Sequence, residues 1–558
     1  MSRKNKGYQP VESYGATVST SQSETSPIFN ETDRLRQSSS YDEGDYKGRS
    51  RSRSSSFYLL MGEKKLGLAA FVVLTFYSVS GGPFGIEDIV RAGGPFFALC
   101  GFSLMLVWAV PEAMITAELS TAIPEASGSV AWVEAAFGPF WAFQKGWLNW
   151  LSGVADNALY PILFLDCLLA VLTSARDNST TSDAEYNYDD IYNIYNNSSN
   201  STIYNSISNS TVSYGDDGES LIDILSNDRS WYRVMVIVGI TMSLTYLSYR
   251  GIECVGYIAI GICIFSLSPF VAFCIIGSFK IQPARWLVTP PGGIKGVQWR
   301  LLFNTFFWNI NFWESSSSFA GDVEDPGSTY PRGMLIALLM VFLASFLPIL
   351  IGTGASSDSY TEWTDGYFLH IAAEIGGPWL SYWMMLAAAT TNIGMFEAEM
   401  SSDAWQVCGM AERGILPKFL SRRNKYGTPL YGTMLSATGV VCLGTLAFSE
   451  VIYLVNLLFC LGQAIEFCAF LHLRRVKPDM PRPFKIGIGL VGMSIILSFP
   501  LIFIILIIAF STLKSILLAV CCVCVGVILY HGKLLQFHYH HHHHHHYYYY
   551  FIISFGYC

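Results

Sequence analysis

Charge is scarce in this sequence. Asp, Glu, Lys and Arg make up 14% of its 558 residues, against about 25% in a soluble globular protein. The shortage excludes a chain that presents most of its surface to water. No P-loop, nucleophile elbow or spaced set of metal ligands is present outside a terminal histidine tract. The motifs that mark the common enzyme classes are therefore missing, and no cofactor and no enzymatic activity is expected. Most of the thirteen cysteines fall in apolar runs, as Cys521, Cys522 and Cys524 do. They read as small apolar residues and argue against a disulfide framework. A cleavable signal peptide is not recognisable, since the first apolar run starts near residue 66.

What is there is hydrophobic: 51% of the chain. Apolar runs near the roughly 20 residues that cross a bilayer recur along most of it. They predict about twelve spans, at 66–90, 96–120, 141–173, 231–249, 252–279, 297–321, 333–353, 377–401, 429–447, 451–473, 485–510 and 512–531. Positive residues concentrate on the cytoplasmic side of membrane proteins. Arg413, Lys418, Arg422, Arg423 and Lys425 share one interspan loop, and Arg474, Arg475, Lys477 and Arg482 share another. With Lys64 and Lys65 before the first span, they put both termini in the cytoplasm, although Lys280, Arg285, Lys295 and Arg300 fall outside. The basic residues thus follow membrane topology, and no nucleic-acid partner is expected.

The polar segment 174–230 is predicted to face the lumen or exterior. It carries sequons at Asn178, Asn196, Asn197, Asn200 and Asn209, which are glycosylated only on that side; an Asn/Ser-rich loop also produces sequons by chance. The Ser-rich residues 1–57 read as a disordered cytoplasmic tail and 535–558 as a low-complexity tail. Between them, 58–534 forms the membrane domain. Its location is expected to be the plasma membrane, though an endomembrane would require no change in any residue cited. Nothing in the sequence speaks for or against an accessory subunit.

Two of the spans break the rules of a helix. The first contains Ser80-Gly81-Gly82-Pro83, where glycine costs entropy and proline lacks an N–H. Glu87 and Asp88 follow at once. The sixth contains Asn309, Asn311 and Glu314, then four serines. Unpaired backbone in lipid is tolerated only against protein or a water-filled cavity. Two interrupted spans, five apart, point to inverted repeats with a substrate site at the membrane midplane. Glu314 costs roughly 2.5–3.5 kcal/mol to insert, so it either meets a cation or proton, or is a structural carboxylate bonded to neighbouring serines. On the third span Asp156 and Tyr160, four apart, share a helix face beside Asn157. On the eighth, Asn392 and Glu397 are polar, Glu397 nearer the cytoplasm.

These stretches resemble a known family. FYSVSGGPFGIED (76–88), AELSTAIPEASGSVAWVEAAFGPFWAFQKGW (117–147), SGVADNALYPILFLD (152–166), FWNINFWESSSSFAGDVEDP (307–326), SSDAWQVCGMAERGILP (401–417), KYGTPLYG (425–432) and NLLFCLGQAIEF (456–467) are similar to the amino acid–polyamine–organocation transporters, in their eukaryotic polyamine and L-type amino acid branch. The resemblance implies an all-α membrane protein of LeuT-like fold. Its first repeat would cover 66–279, its second 297–473, and two peripheral helices 485–531. It implies substrate contact by Ser80, Gly81 and Gly82 on the first helix and by Asn309, Asn311, Trp313 and Glu314 on the sixth, with Trp313 or Phe312 as an aromatic gate. Asp156, Asn157, Tyr160 and Asn392 would assist.

Many sodium-independent relatives carry a lysine in the fifth helix, but 251–279 contains neither Lys nor Arg. A titrating carboxylate, Glu314 first and Asp156 second, is the expected proton-coupling device. Glu87, Asp156 and Glu314 favour a cationic cargo by Coulomb attraction, so proton-coupled symport of putrescine or spermidine is the first reading. Cationic or neutral L-type amino acids are the alternatives, because Glu87 has Arg91 four residues on as a salt-bridge partner. An amine or amino acid sensor that does not transport is the alternative of another class.

Overall fold

Helices form where the sequence offers an uninterrupted apolar run, and they stop where glycine, proline or a polar pair intrudes. The computed structural model describes residues 66–180, 231–444 and 448–532. Both tails and the sequons at Asn196, Asn197, Asn200 and Asn209 lie outside them, while Asn178 falls in the last turn of a helix rather than in the expected loop. In chain order the helices are α1 (Leu68–Val79), α2 (Asp88–Ala122), α3 (Ser129–Phe137), α4 (Pro139–Asn157), α5 (Tyr160–Thr180), α6 (Trp231–Tyr249) and α7 (Ile252–Ser278). After them come α8 (Trp299–Trp308), α9 (Pro326–Ala355), α10 (Tyr367–Gly376), α11 (Pro378–Glu412), α12 (Leu430–Leu443), α13 (Phe448–Val476), α14 (Leu490–Phe510) and α15 (Leu513–Gly532).

Among the described residues, eight helical segments are long and apolar enough to cross a membrane, α4 and α5 counting as one. α1 and α12 are apolar but shorter, and α11 spans 35 residues with Glu397, Glu399 and Asp403 inside it. The protein is an all-α integral membrane protein. α14 and α15 turn Val491, Ile495, Ile502, Leu513 and Ile528 outward, the apolar exposure expected of helices that face lipid. In lipid, water exclusion gives helices no reason to associate, so close packing over small residues does that work. A β-carbon at Gly333 of α9 would sit 2.5 Å from the Phe71 ring of α1, for example.

Both predicted breaks are present, with shifted boundaries. The expected span 66–90 is helical only to Val79, where the Ser80 N–H closes the last turn onto Phe76 O at 2.7 Å. Gly82 and Gly85 then adopt positive φ of 103° and 78°, which glycine tolerates because it has no β-carbon. Helix resumes at Asp88 and kinks again at Gly94 (φ 68°) before Pro95, so 88–93 completes the first span and 95–122 forms the second. The sixth span stops at Trp308 and resumes as a 3-10 turn over Trp313–Phe319. Phe312 between them is left-handed at φ 66°, a costly state for a residue with a side chain and one found mainly at functional sites.

Candidate substrate site

The two breaks face each other and are tied together by side chains. Asn309 Nδ2 donates to Thr305 O at 2.9 Å and to Gly85 O at 3.4 Å, linking the sixth break to the first. Thr391 of α11 donates to Gly81 O at 3.1 Å. Ser80 closes a local turn, donating to Gly82 O at 3.2 Å and accepting from Gly82 N at 3.3 Å. The freed carbonyls of the unwound backbone are thus partly met within the protein.

Asp156 sits where α4 ends and joins the third span to the sixth. It accepts from the Tyr160 hydroxyl at 2.5 Å and from Trp308 Nε1 at 2.9 Å. Asn157 and Asn311 are fully buried, and neither finds a hydrogen-bond partner for its amide. Buried amides normally do find partners, and among the described residues these two do not. Asn392 spends its Nδ2 on Ala388 O at 2.9 Å, one turn back on its own helix, leaving Oδ1 free. The Trp313 indole is fully buried and donates to Ile310 O at 2.8 Å, while the Phe312 ring packs 4.5 Å from that of Phe459.

Glu314 does not bond to the serines that follow it, as one of the sequence alternatives has it. Its Oε1 accepts from Asn149 Nδ2 at 3.0 Å and stands 3.7 Å from Lys145 Nζ. The serines hold backbone instead. Ser316 Oγ donates to Trp313 O at 2.9 Å, Ser317 Oγ accepts from Ser129 N at 3.1 Å, and Ser402 reaches Ser315 O at 3.0 Å. They satisfy polar groups that a 3-10 turn leaves outside its own ladder.

Sequence reasoning missed much of the site. Lys145 of α4 is fully buried, 3.0 Å from Glu466 Oε2 of α13. Glu112 of α2 lies against Glu314, carboxyl to carboxyl, within electrostatic reach of Glu466 and Lys145. On α11, Glu399 lies within reach of Asp156, Asp403 and Glu314. A β-carbon at Gly153 would stand 2.4 Å from Asp403 Oδ1, so this carboxylate presses on α4. Asp156, Asp403, Glu399, Glu314, Glu112 and Glu466 form a buried seam that, among the described residues, holds one ammonium, that of Lys145. Each of these residues was a single polar position in an otherwise apolar span, and only packing reveals that they converge.

Glu87 and Glu397 fall off this seam. The proposed Glu87–Arg91 bridge does not form, because Arg91 pairs with Asp88 at 2.8 Å, three residues away, and Glu87 Oε1 accepts from Gly366 N at 3.1 Å. Glu397 accepts from Ser248 of α6 at 2.7 Å.

Interrupted helices that pack around a closed, charged centre define a secondary transporter. Residues 66–529 match the amino acid permease family, and the chain belongs to that family, with its LeuT-like fold. It is 43% identical to the polyamine transporter RMV1 of Arabidopsis thaliana over 467 residues, 84% of each chain. It is 41% identical to the polyamine transporter PUT1 of Oryza sativa subsp. japonica, over 84% of this chain and 78% of that one. An arginine/ornithine antiporter of Latilactobacillus sakei is 23% identical over 72% of this chain and 76% of its own.

Proposed function

We propose that this protein carries di- and polyamines across a membrane by alternating access, with proton uptake as the driving reaction. The observation that carries the reading is the imbalance of the seam, which among the described residues sets six buried carboxyl groups against one lysine at one end. Like charges about 5 Å apart repel by roughly 3 kcal/mol at an effective dielectric of about 20, and a cargo bearing two or more ammonium groups relieves that repulsion. A neutral amino acid brings one ammonium and one carboxylate and relieves none of it. The plant relatives named as polyamine transporters support the same cargo. Glu314, at the break of the sixth span, is the first proton carrier and Asp156 the second. Following the positive loops, both termini face the cytoplasm, and the plasma membrane is the proposed site of action.

The test is uptake into proteoliposomes under an imposed inward proton gradient, comparing labelled putrescine, spermidine, arginine and leucine. Polyamine accumulation that requires the gradient is the expected result. Arginine or leucine accumulation alone overturns the cargo, and binding without accumulation of any of the four makes the protein a sensor.

A further inference from the structure

We propose that Lys145 sets the number of ammonium groups a substrate brings, because its own Nζ fills one ammonium position in the buried cluster of Glu112, Glu314 and Glu466. The inference rests on the amine-transport reading above. Lysine is a primary amine on a flexible four-carbon stem, chemically one end of an alkyl polyamine tethered to α4. It is fully buried and stands between the two carboxylates, 3.0 Å from Glu466 Oε2 and 3.7 Å from Glu314 Oε1.

The cluster offers more acceptors than that amine satisfies. Glu112 meets Glu314 carboxyl to carboxyl and Gln463 bonds to Glu466, so among the described residues three carboxyl groups, each at most 2% exposed, share the one ammonium of Lys145. An ammonium has three donors and no acceptor, so three carboxyl groups gathered on one ammonium are suited to further ammonium groups. Gly462 of α13 makes the approach possible. A β-carbon there would sit 2.6 Å from Asn149 Oδ1 and 3.5 Å from Lys145 Nζ.

Position along the helix gives the length limit. Asp156 and Lys145 are three turns apart on α4, about 16 Å at 1.5 Å per residue. A four-carbon diamine is far shorter than this, and a tetraamine reaching from Asp156 would meet Lys145. Its ammonium therefore closes the far end of the seam to the longest cargo. Removing it adds one vacant ammonium position, and removing one of its carboxylates takes a position away.

The experiment measures kcat/KM for putrescine, spermidine and spermine with the full-length chain in proteoliposomes. Lys145→Met is expected to raise the spermine-to-putrescine ratio at least tenfold, and Lys145→Arg to stay within threefold of wild type. Glu466→Gln keeps the side-chain shape and is expected to lower the ratio at least threefold. The double variant Lys145→Met/Glu466→Gln restores the balance of positions and is expected to return the ratio to within threefold of wild type. An unchanged ratio in Lys145→Met overturns the inference. Where that variant fails to fold, an unchanged ratio in Glu466→Gln does so. Wild-type protein that takes up none of the three amines overturns the transport reading and this inference with it. Wild-type uptake with unmoved ratios overturns this inference alone.

Discussion

Glu314→Gln isolates one charge at the point where the sixth helix is broken. Glutamine keeps the size of the side chain and an oxygen for Asn149, which now donates to Glu314 Oε1 at 3.0 Å. Lys145 keeps Glu466 at 3.0 Å, so the main buried ion pair survives. What disappears is one negative charge and one carboxylate acceptor, in a residue that meets Glu112 carboxyl to carboxyl. An ammonium bound there loses a charge-assisted hydrogen bond, about 1.5–3 kcal/mol. At 1.36 kcal/mol per factor of ten, kcat/KM for putrescine is expected to fall roughly 10- to 150-fold. Initial rates of labelled putrescine uptake, taken over a range of concentrations, give this ratio. They also separate a binding loss, seen in KM, from a loss in kcat. The variant should no longer respond to an imposed proton gradient if Glu314 carries the proton. A kcat/KM within twofold of wild type refutes the assignment of Glu314 to the cation.

Two further outcomes follow from buried pairs. Tyr160→Phe removes only the hydroxyl that donates to Asp156 at 2.5 Å, and a double-mutant cycle with Asp156→Asn, read in thermal stability, is expected to give a coupling of about 1.5–3 kcal/mol; a coupling near zero places the bond outside the stable fold. At the other end of α2, Arg474 and Arg482 both pair with the buried Glu118. Arg474→Met leaves Glu118 paired with Arg482 at 3.1 Å and is expected to destabilise by about 1.5–3 kcal/mol, whereas Glu118→Gln strands two buried guanidinium groups and is expected to cost about 3–5 kcal/mol, both read as loss of melting temperature.

The helix breaks were legible because each violates a local rule. Ser80-Gly81-Gly82-Pro83 cannot continue a helix, and Asn309, Asn311 and Glu314 do not belong in lipid. The Asp156–Tyr160 contact was also legible, since four residues place two side chains together; the hydrogen bond forms even though the helix is interrupted at Ala158 and Leu159. Exact ends were not. α11 runs to Glu412, eleven residues past the expected 401, because the eighth span continues as helix through polar residues that hydropathy reads as loop. That extension carries Asp403, which is why sequence reasoning passed over it. Lys145 lay four residues inside the expected start at 141, where a lysine reads as one that snorkels to the interface. Its partners Glu314 and Glu466 are 169 and 321 residues away, beyond any periodic signal. The default that marked Asp156, an ionisable group at membrane depth, applies equally to Glu112, Lys145 and Glu466.

The same seam constrains the empty carrier. An alternating-access protein must return after releasing its cargo, and every carboxylate then left buried and unpaired costs several kcal/mol. Lys145 answers part of this cost permanently, because it is covalently bound and cannot be released. Protons on the remaining carboxyl groups answer the rest, which is the physical reason a polyamine site of this kind is expected to work with a proton. A chain lacking Lys145 would depend on protonation for the whole return. Its transport should therefore be more sensitive to the imposed proton gradient than that of the wild type.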